Sequence, residues 1–153
     1  MKIVYKIALL LSCWFFALNS YATDCAAPCQ LNLIDSYFKA IDNISRQGSS
    51  VEDIDTLLAL THDKVEYVHV EYEANFTKAS WRQAFLRNLK RGAYQNTDKN
   101  QIRILNTIYG KNHTAIEYSH GVIQKDGSWQ ATEPLLVVFG FTEQKISLVK
   151  ELW

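Results

Sequence analysis

The chain has no excess of charge of either sign. Its 153 residues include 16 Lys and Arg side chains and 16 Asp and Glu side chains. Nucleic-acid-binding proteins usually have a basic excess and clustered cations. The densest basic group here lies on more than one side of a predicted helix, as on a solvated surface. It consists of Arg82, Arg87, Lys90 and Arg91. We therefore expect no nucleic-acid partner.

Internal repeats, low-complexity tracts and linkers are also lacking, and the length is enough for one hydrophobic core. Residues 1–22 have the composition of a signal peptide: Lys2 and Lys6 precede an apolar stretch, and Ser20 and Ala22 are small residues before the expected cleavage point. Without this segment 14 basic and 16 acidic side chains remain, a net charge of −2. We predict one domain over residues 23–153.

No apolar stretch is comfortably long enough for a membrane span, which needs about 20 residues. The candidate, residues 7–18, lies within the predicted signal peptide. We therefore predict a periplasmic or secreted protein that has no membrane association after signal removal, and a retained membrane anchor is the weaker alternative. An alternative is a lipoprotein in which Cys13 carries the lipid, but the apolar run continues through Trp14 to Phe16, past the cleavage point that this requires.

Cysteine is scarce, with three in the chain, and Cys13 falls within the predicted signal peptide. Cys25 and Cys29 remain, and on a helical turn they would lie about 6 Å apart, within disulfide reach. An oxidising compartment would allow them to pair. We predict a disulfide that fastens the start of the domain to its first helix. Thiol redox chemistry is the alternative, although redox-active pairs usually have two intervening residues rather than three.

Apolar residues at spacings of three and four predict a helix over residues 30–46. Ser50 and Asp53 predict a capping box at the start of a second, shorter helix. A third helix is predicted to begin at Thr77 or Ser80. These helices account for the polar and apolar pattern of the first half of the domain, apart from one strand.

Alternating apolar and polar residues predict that strand over residues 64–73, between the second and third helices. Four antiparallel strands are predicted from residue 100 onward. Residues 135–141 are apolar on both faces, which is typical of a central strand, and a polar turn leads to a last strand over residues 146–153. This order of elements predicts an α+β fold.

The order helix, helix, strand, helix and four strands, with Lys145 and Ile146 opening a last strand that ends in an aromatic residue, resembles the SnoaL-like branch of the nuclear transport factor 2-like superfamily. Residues 65–69 (VEYVH) and 80–85 (SWRQAF) look like that family's early strand and third helix. The resemblance covers nearly all of residues 23–153. It implies a cystatin-like α+β cone, in which a curved antiparallel sheet wraps around helices and encloses a pocket, and often a homodimer through the outer sheet face. Members include isomerases, dehydratases, cyclases and binding modules, so the fold does not decide function.

Chemistry in such a pocket needs polar groups on otherwise apolar inward faces. Tyr67 and His69 share one face of the first predicted strand, and Tyr118 and His120 share one face of a later strand. If these faces converge, the imidazoles and phenols supply a base and hydrogen-bond donors for proton abstraction next to a carbonyl. The alternative for each His is an ordinary core or surface position.

Three more residues are candidates for ligand contact. Tyr37 and Trp81 are helical aromatics, which are core residues unless the cone is open above them. Glu133 precedes Pro134 and is therefore held extended. Burial would raise the pKa of its carboxyl group and make it a possible base, whereas a solvated carboxylate is the alternative.

We predict no metal and no cofactor. The histidines form two pairs seven residues apart, a spacing that places neither pair on one helical turn, and no Cys ligand is free if Cys25 and Cys29 pair. The two pairs are His62 with His69 and His113 with His120. In the resembled family the acid or base is often Asp or His, and the predicted strands here have no inward Asp.

We therefore expect an exported small-molecule-binding protein that holds a small apolar or carbonyl-containing molecule in its pocket. One alternative is an isomerase- or dehydratase-like enzyme, with His69 or His120 as general base and Tyr67 or Tyr118 as donor. Another is a non-catalytic dimeric interaction module. Binding is preferred because no His is paired with an orienting carboxylate at a recognisable spacing.

Overall fold

A computed structural model describes residues 24–153, so the predicted signal peptide and Cys13 lie outside the described residues. Three helices and seven strands make up this part of the chain. The helices are α1 (Ala27–Ser45), α2 (Val51–Ala59) and α3 (Lys78–Lys90). The strands are β1 (Thr61–His69), β2 (Ala74–Thr77), β3 (Asn100–Gly110), β4 (His113–Ile123), β5 (Trp129–Ala131), β6 (Leu135–Thr142) and β7 (Lys145–Glu151). None of these helices is long and apolar enough to cross a membrane.

The strands form one curved, unclosed sheet in the order β2-β1-β7-β6-β4-β3, with β5 paired to β4. The predicted α+β cone is confirmed. Strand β6, which is apolar on both faces, lies in the interior of the sheet between β7 and β4. The sheet is mixed rather than wholly antiparallel, because β1 runs parallel to β7. Two short strands, β2 and β5, add to the five predicted ones.

Local sequence signals explain where the helices begin. Ser50 accepts a hydrogen bond from the backbone N–H of Asp53, and the Asp53 carboxylate accepts one from the backbone N–H of Ser50, which is the predicted capping box of α2. Thr77 and Ser80 form the same reciprocal pair at the start of α3. Cys25 and Cys29 are joined by a disulfide across the start of α1, with their Cα atoms 5.3 Å apart.

The first predicted strand ends earlier than its alternation indicates. β1 stops at His69, and the chain turns through Glu73, whose φ of 48° is left-handed, into β2. His69 then pairs with Ala74 across this tight connection. The turn brings β2 alongside β1 and so fixes the start of α3, which follows β2 directly.

Helix α1 packs across the inner face of the sheet, and this contact is the centre of the core. The ring of Phe139, on β6, is fully buried. Its centroid lies 5.0 Å from that of Tyr37 and 5.9 Å from that of Phe38, both edge-on. Edge-to-face pairs of this kind add to the free energy gained by burying the rings.

We expect Phe139→Ala to lower the free energy of unfolding by about 3–5 kcal/mol, because it removes a buried ring and leaves a cavity that α1 cannot fill. Tyr109→Ala is the control, since Tyr109 is an aromatic residue of β3 that is 43% exposed. Its cost should stay within about 0.5 kcal/mol. Urea unfolding followed by circular dichroism measures both. Equal losses for the two variants would contradict this description of the core.

Candidate functional site

A cavity of about 330 Å³ lies between α1, α3 and the inner face of the sheet. Most of its wall is aromatic. The aromatic side chains that line it are Tyr37, Phe38, Tyr67, Phe76, Trp81, Phe85, Tyr118 and Trp153. The polar side chains in the lining are those of Asn88, His120 and Glu151. Cavities with an apolar wall and a few convergent polar groups are typical ligand sites.

The helix α3 contributes one face to this wall. Trp81, Ala84, Phe85 and Asn88 all line the cavity, and they follow the spacing of one helical face. The ring of Trp81 stacks on that of Tyr67, with centroids 4.6 Å apart. This stacking fixes α3 over β1 and leaves space between α3 and the residues of α1.

Glu151, the last residue of β7, is the acidic group of the cavity. Its Oε2 atom accepts a hydrogen bond of 2.7 Å from the hydroxyl of Tyr67. The side chain is only 13% exposed. Burial raises the pKa of the Glu151 carboxyl above its ordinary value, and the hydrogen bond from Tyr67 opposes this shift.

The phenols near Glu151 are held in their protonated form. Burial, reinforced by the negative charge of Glu151, raises the pKa of Tyr37, Tyr67 and Tyr118. Each of these hydroxyls is therefore a hydrogen-bond donor at neutral pH. Trp153 donates its indole N–H to the oxygen of Tyr118 over 3.0 Å, so the proton of Tyr118 remains for an acceptor in the cavity.

His69 lies behind Glu151 and does not line the cavity. Its Nε2 atom is 3.4 Å from Oε2 of Glu151, but neither ring nitrogen makes a hydrogen bond within the described chain. The imidazole is enclosed by the rings of Tyr72 and Trp153, each with its centroid 4.3 Å away. Burial lowers the pKa of His69, although the charge of Glu71 opposes the shift, so the ring is neutral at neutral pH.

His120 lies at the exposed mouth of the cavity, next to Tyr118. Partial burial lowers the pKa of His120, and the carboxylate of Asp42 on α1 opposes this shift. Asp42 and His120 also line a smaller adjoining cavity of about 180 Å³. Asp42 accepts a 3.4 Å hydrogen bond from the backbone N–H of Ile102, which holds the carboxylate beside β3.

The structure brings most of the predicted site residues into one cavity. The members that line it are Tyr37, Tyr67, Trp81, Tyr118 and His120. His69 does not line the cavity, and it is next to a cavity residue, Glu151, with its Nε2 atom 3.4 Å from Oε2 of that residue. Glu133 is exposed in the segment between β5 and β6 and is not part of the cavity wall.

Several residues of the cavity region were not predicted from the sequence, Phe85 and Asn88 among them, and three matter most for its chemistry: Asp42, Glu151 and Trp153. For two of them a signal was present, because Val149, Glu151 and Trp153 alternate on one face of the last predicted strand, and Val149 is fully buried. A carboxylate at an inward position of an apolar strand marks a candidate site residue. Asp42 has no comparable signal, since an Asp at the edge of a helical apolar stripe is usually solvated.

Within residues 24–153 there is no group of three His, Cys, Asp or Glu side chains that could hold a metal ion. In and around the cavity, acidic and imidazole side chains come together only in twos within the described residues: Glu151 with His69, and Asp42 with His120.

No protein-family model matches this sequence, and no curated protein matches it either. Solved structures do match its fold. A hypothetical protein from Catenulispora acidiphila with a ketosteroid isomerase-like fold, in complex with trimethylamine, is 14% identical with a TM-score of 0.53, and the match covers 79% of this chain and 84% of its own. An LEH-like epoxide hydrolase from M. tuberculosis is 14% identical with a TM-score of 0.55, covering 81% of each chain. A putative polyketide cyclase from Sinorhizobium meliloti is 12% identical with a TM-score of 0.52, covering 78% of this chain and 93% of its own.

The chain therefore has the nuclear transport factor 2-like fold, to which the ketosteroid isomerase-like and SnoaL-like proteins also conform. At these identities the similarity extends to the fold alone. The fold is one that other proteins use for ligand binding and for catalysis.

We expect Glu151→Gln to stabilise the protein at pH 8, by about 1 kcal/mol, a typical size for one substitution. Because burial raises the pKa of Glu151, the ionised carboxylate opposes folding above that raised pKa. The gain should shrink as the pH falls through the raised pKa towards the ordinary value of 4.5. Thermal unfolding at pH 8, 6 and 4.5 measures it.

Glu133→Gln is the matched control, since it makes the same change at an exposed position. It should leave the melting temperature nearly unchanged at each pH. A stabilisation by Glu151→Gln that is independent of pH would contradict the assignment of a destabilising buried charge.

Proposed function

We propose that this chain is an exported small-molecule-binding protein that holds a small, largely apolar organic molecule in the aromatic cavity. The observation that supports this most is the composition of the wall, in which eight aromatic side chains surround a few convergent polar groups. Aromatic rings supply large contact areas at low conformational cost. Helices α1 and α3 and the sheet already hold most of these rings in place, so little ordering is needed on binding.

The polar groups suit a ligand that carries a carbonyl or hydroxyl oxygen. The hydroxyl of Tyr118 accepts from Trp153 and keeps its own proton for such an oxygen. Asn88 and His120 offer further hydrogen-bonding groups in the lining. Among solved structures of this fold, the Catenulispora acidiphila protein was crystallised with trimethylamine, which supports small-molecule binding by analogy.

General acid–base catalysis is the second candidate, and one observation favours it. Glu151 is a buried carboxylate whose pKa is raised and which touches the cavity, the properties of a general base. His69 is 3.4 Å from it, and His120 lies at the mouth. In such a reaction Glu151 or His120 takes a proton from carbon, while the Tyr118 hydroxyl donates to the carbonyl oxygen. His69, which does not line the cavity, is not in a position to act as the base.

Export is proposed on the composition of residues 1–22 and on the disulfide. Cys25 and Cys29 are bridged in the described chain. Disulfides persist in oxidising compartments such as the bacterial periplasm and the extracellular space. The periplasmic or secreted location therefore agrees with the domain's chemistry.

A homodimer is proposed on the outer face of the sheet. Exposed apolar side chains there include Ile108 of β3, 66% exposed, and Leu136 of β6, 42% exposed. Ala115 pairs with Ile108 across the strands and extends this face. Contiguous exposed apolar surface marks interaction sites. The outer face of a second copy of this chain would cover these apolar side chains. The same surface would form the interface if the protein is a non-catalytic dimeric module.

The cavity can be tested by filling it. Ala84→Trp places a large ring into the space beside Trp81 and Phe85, and binding should weaken at least tenfold. Gln83→Trp is the matched control, because Gln83 is exposed on the same helix. Ligand-observed NMR with a library of small aromatic and carbonyl-containing fragments measures binding. Binding that survives Ala84→Trp, or no binding to the unchanged protein, would contradict the proposal.

Native mass spectrometry of protein purified from its own host tests processing and assembly. We expect a dimer of chains that begin at residue 23, each two hydrogen atoms lighter than the reduced chain. Leu136→Glu should convert it to a monomer, because a charge on the outer face opposes burial there. An intact N-terminus or a monomer of the unchanged protein would refute the respective part of the proposal.

A further inference from the structure

Glu151 is a buried carboxylate without a cationic partner. It accepts one hydrogen bond from Tyr67 and meets the neutral ring of His69, which donates no hydrogen bond to it. No Lys or Arg belongs to the described lining of the cavity. Two of the four cations of the neighbouring helix α3 are engaged outside the cavity, Arg82 with Asp55 and Lys78 with Asp63. The other two, Arg87 and Lys90, do not line the cavity either.

Buried charges in proteins are normally paired or neutralised. Apart from the Tyr67 hydroxyl, which donates to Glu151, the surrounding lining is chiefly aromatic, and aromatic rings carry a negative face that attracts cations. Rings of Tyr67, Trp81, Phe85 and Trp153 line the same cavity. A carboxylate and several aromatic faces around one space attract a cation and disfavour an anion.

The hydrogen-bonding capacity of the wall restricts the type of cation. A guanidinium group brings five N–H donors and a primary ammonium three. Beside the carboxylate of Glu151, the lining offers them only neutral acceptors: the side-chain oxygen of Asn88, a ring nitrogen of His120 and the phenolic oxygens, of which that of Tyr118 already accepts from Trp153. Metal ions such as Ca²⁺ need about six to eight oxygen ligands, which this wall does not supply. An ammonium nitrogen that carries three or four carbon substituents brings one N–H donor or none.

We propose that the ligand of this cavity is a tertiary or quaternary ammonium compound, with its nitrogen against Glu151 and its alkyl groups against the rings of Tyr67, Trp81 and Trp153. The inference rests on the proposed function, in that the cavity must bind a small molecule. It adds the charge of that molecule and the residue that recognises it. Alkylammonium recognition by aromatic rings is strengthened when the recognising groups are desolvated, and Trp81 and Glu151 are largely buried.

The test compares two compounds of the same shape. Choline carries a quaternary ammonium group, and its neutral isostere, a dimethylbutanol, has a carbon atom in place of the nitrogen. Titration calorimetry measures both, and the fluorescence of Trp81 and Trp153 reports occupancy of the cavity. We expect choline to bind at least tenfold more tightly than the isostere, and Ala84→Trp to weaken both.

Glu151→Gln identifies the origin of the preference. Gln keeps the size of the side chain and an acceptor for the Tyr67 hydroxyl but removes the charge. Choline binding should fall at least tenfold, while binding of the isostere should change less than threefold. Glu133→Gln, the exposed control, should leave both affinities and their ratio unchanged.

The outcomes separate the inference from the function on which it rests. Equal binding of choline and the isostere, or a preference that persists in Glu151→Gln, would overturn the inference alone. Failure of both compounds to bind, while neutral fragments bind in a manner sensitive to Ala84→Trp, would also overturn it alone. If neither these compounds nor the fragments bind, both the inference and the proposed function fail.

Discussion

The packing of α1 on the curved sheet, through Tyr37, Phe38 and Phe139, is the contact on which the rest of the structure depends. A sheet with one apolar face has to bury it, and one helix covers only part of a curved surface. The second helix that reaches the same face, α3, is held above β1 by the stacking of Trp81 on Tyr67. The space between the two helices is therefore a consequence of their separate anchoring, and it becomes the cavity.

The cavity contains a group that works against folding. Burial of Glu151 costs free energy when the carboxylate is ionised, and the single hydrogen bond from Tyr67 offsets only part of this cost. Sites where a sequence departs from the most stable choice are where function is expected.

Much of the fold could be predicted because its signals are local. The apolar stripe of α1, the Ser50–Asp53 capping box and the doubly apolar β6 each depend on residues a few positions apart. The short strand β2 could not be predicted, since four residues carry too weak a pattern and the turn at Glu73 is set by tertiary pairing with β1.

The candidate site was predicted in part for the same reason. Alternation along single strands places Tyr67 and Tyr118 inward, and both line the cavity. The pairing of Tyr67 with Glu151 joins positions 84 residues apart, and no spacing in the sequence encodes it. His69 shares the inward face of Tyr67, yet Tyr72 and Trp153 cover it, which depends on how the turn after β1 folds back.

The cavity presents a hydrogen-bond acceptor at one position and a hydrogen-bond donor at another. Tyr67 donates to Glu151, so this position presents a carboxylate whose remaining capacity is for acceptance. Trp153 donates to Tyr118, so a second position, near the first, presents a hydroxyl proton. A ligand that satisfies both carries an electron-poor group and an oxygen, together with apolar groups that contact the rings. An anion would meet repulsion from the ionised carboxylate, so the proposed site would select by charge as well as by shape.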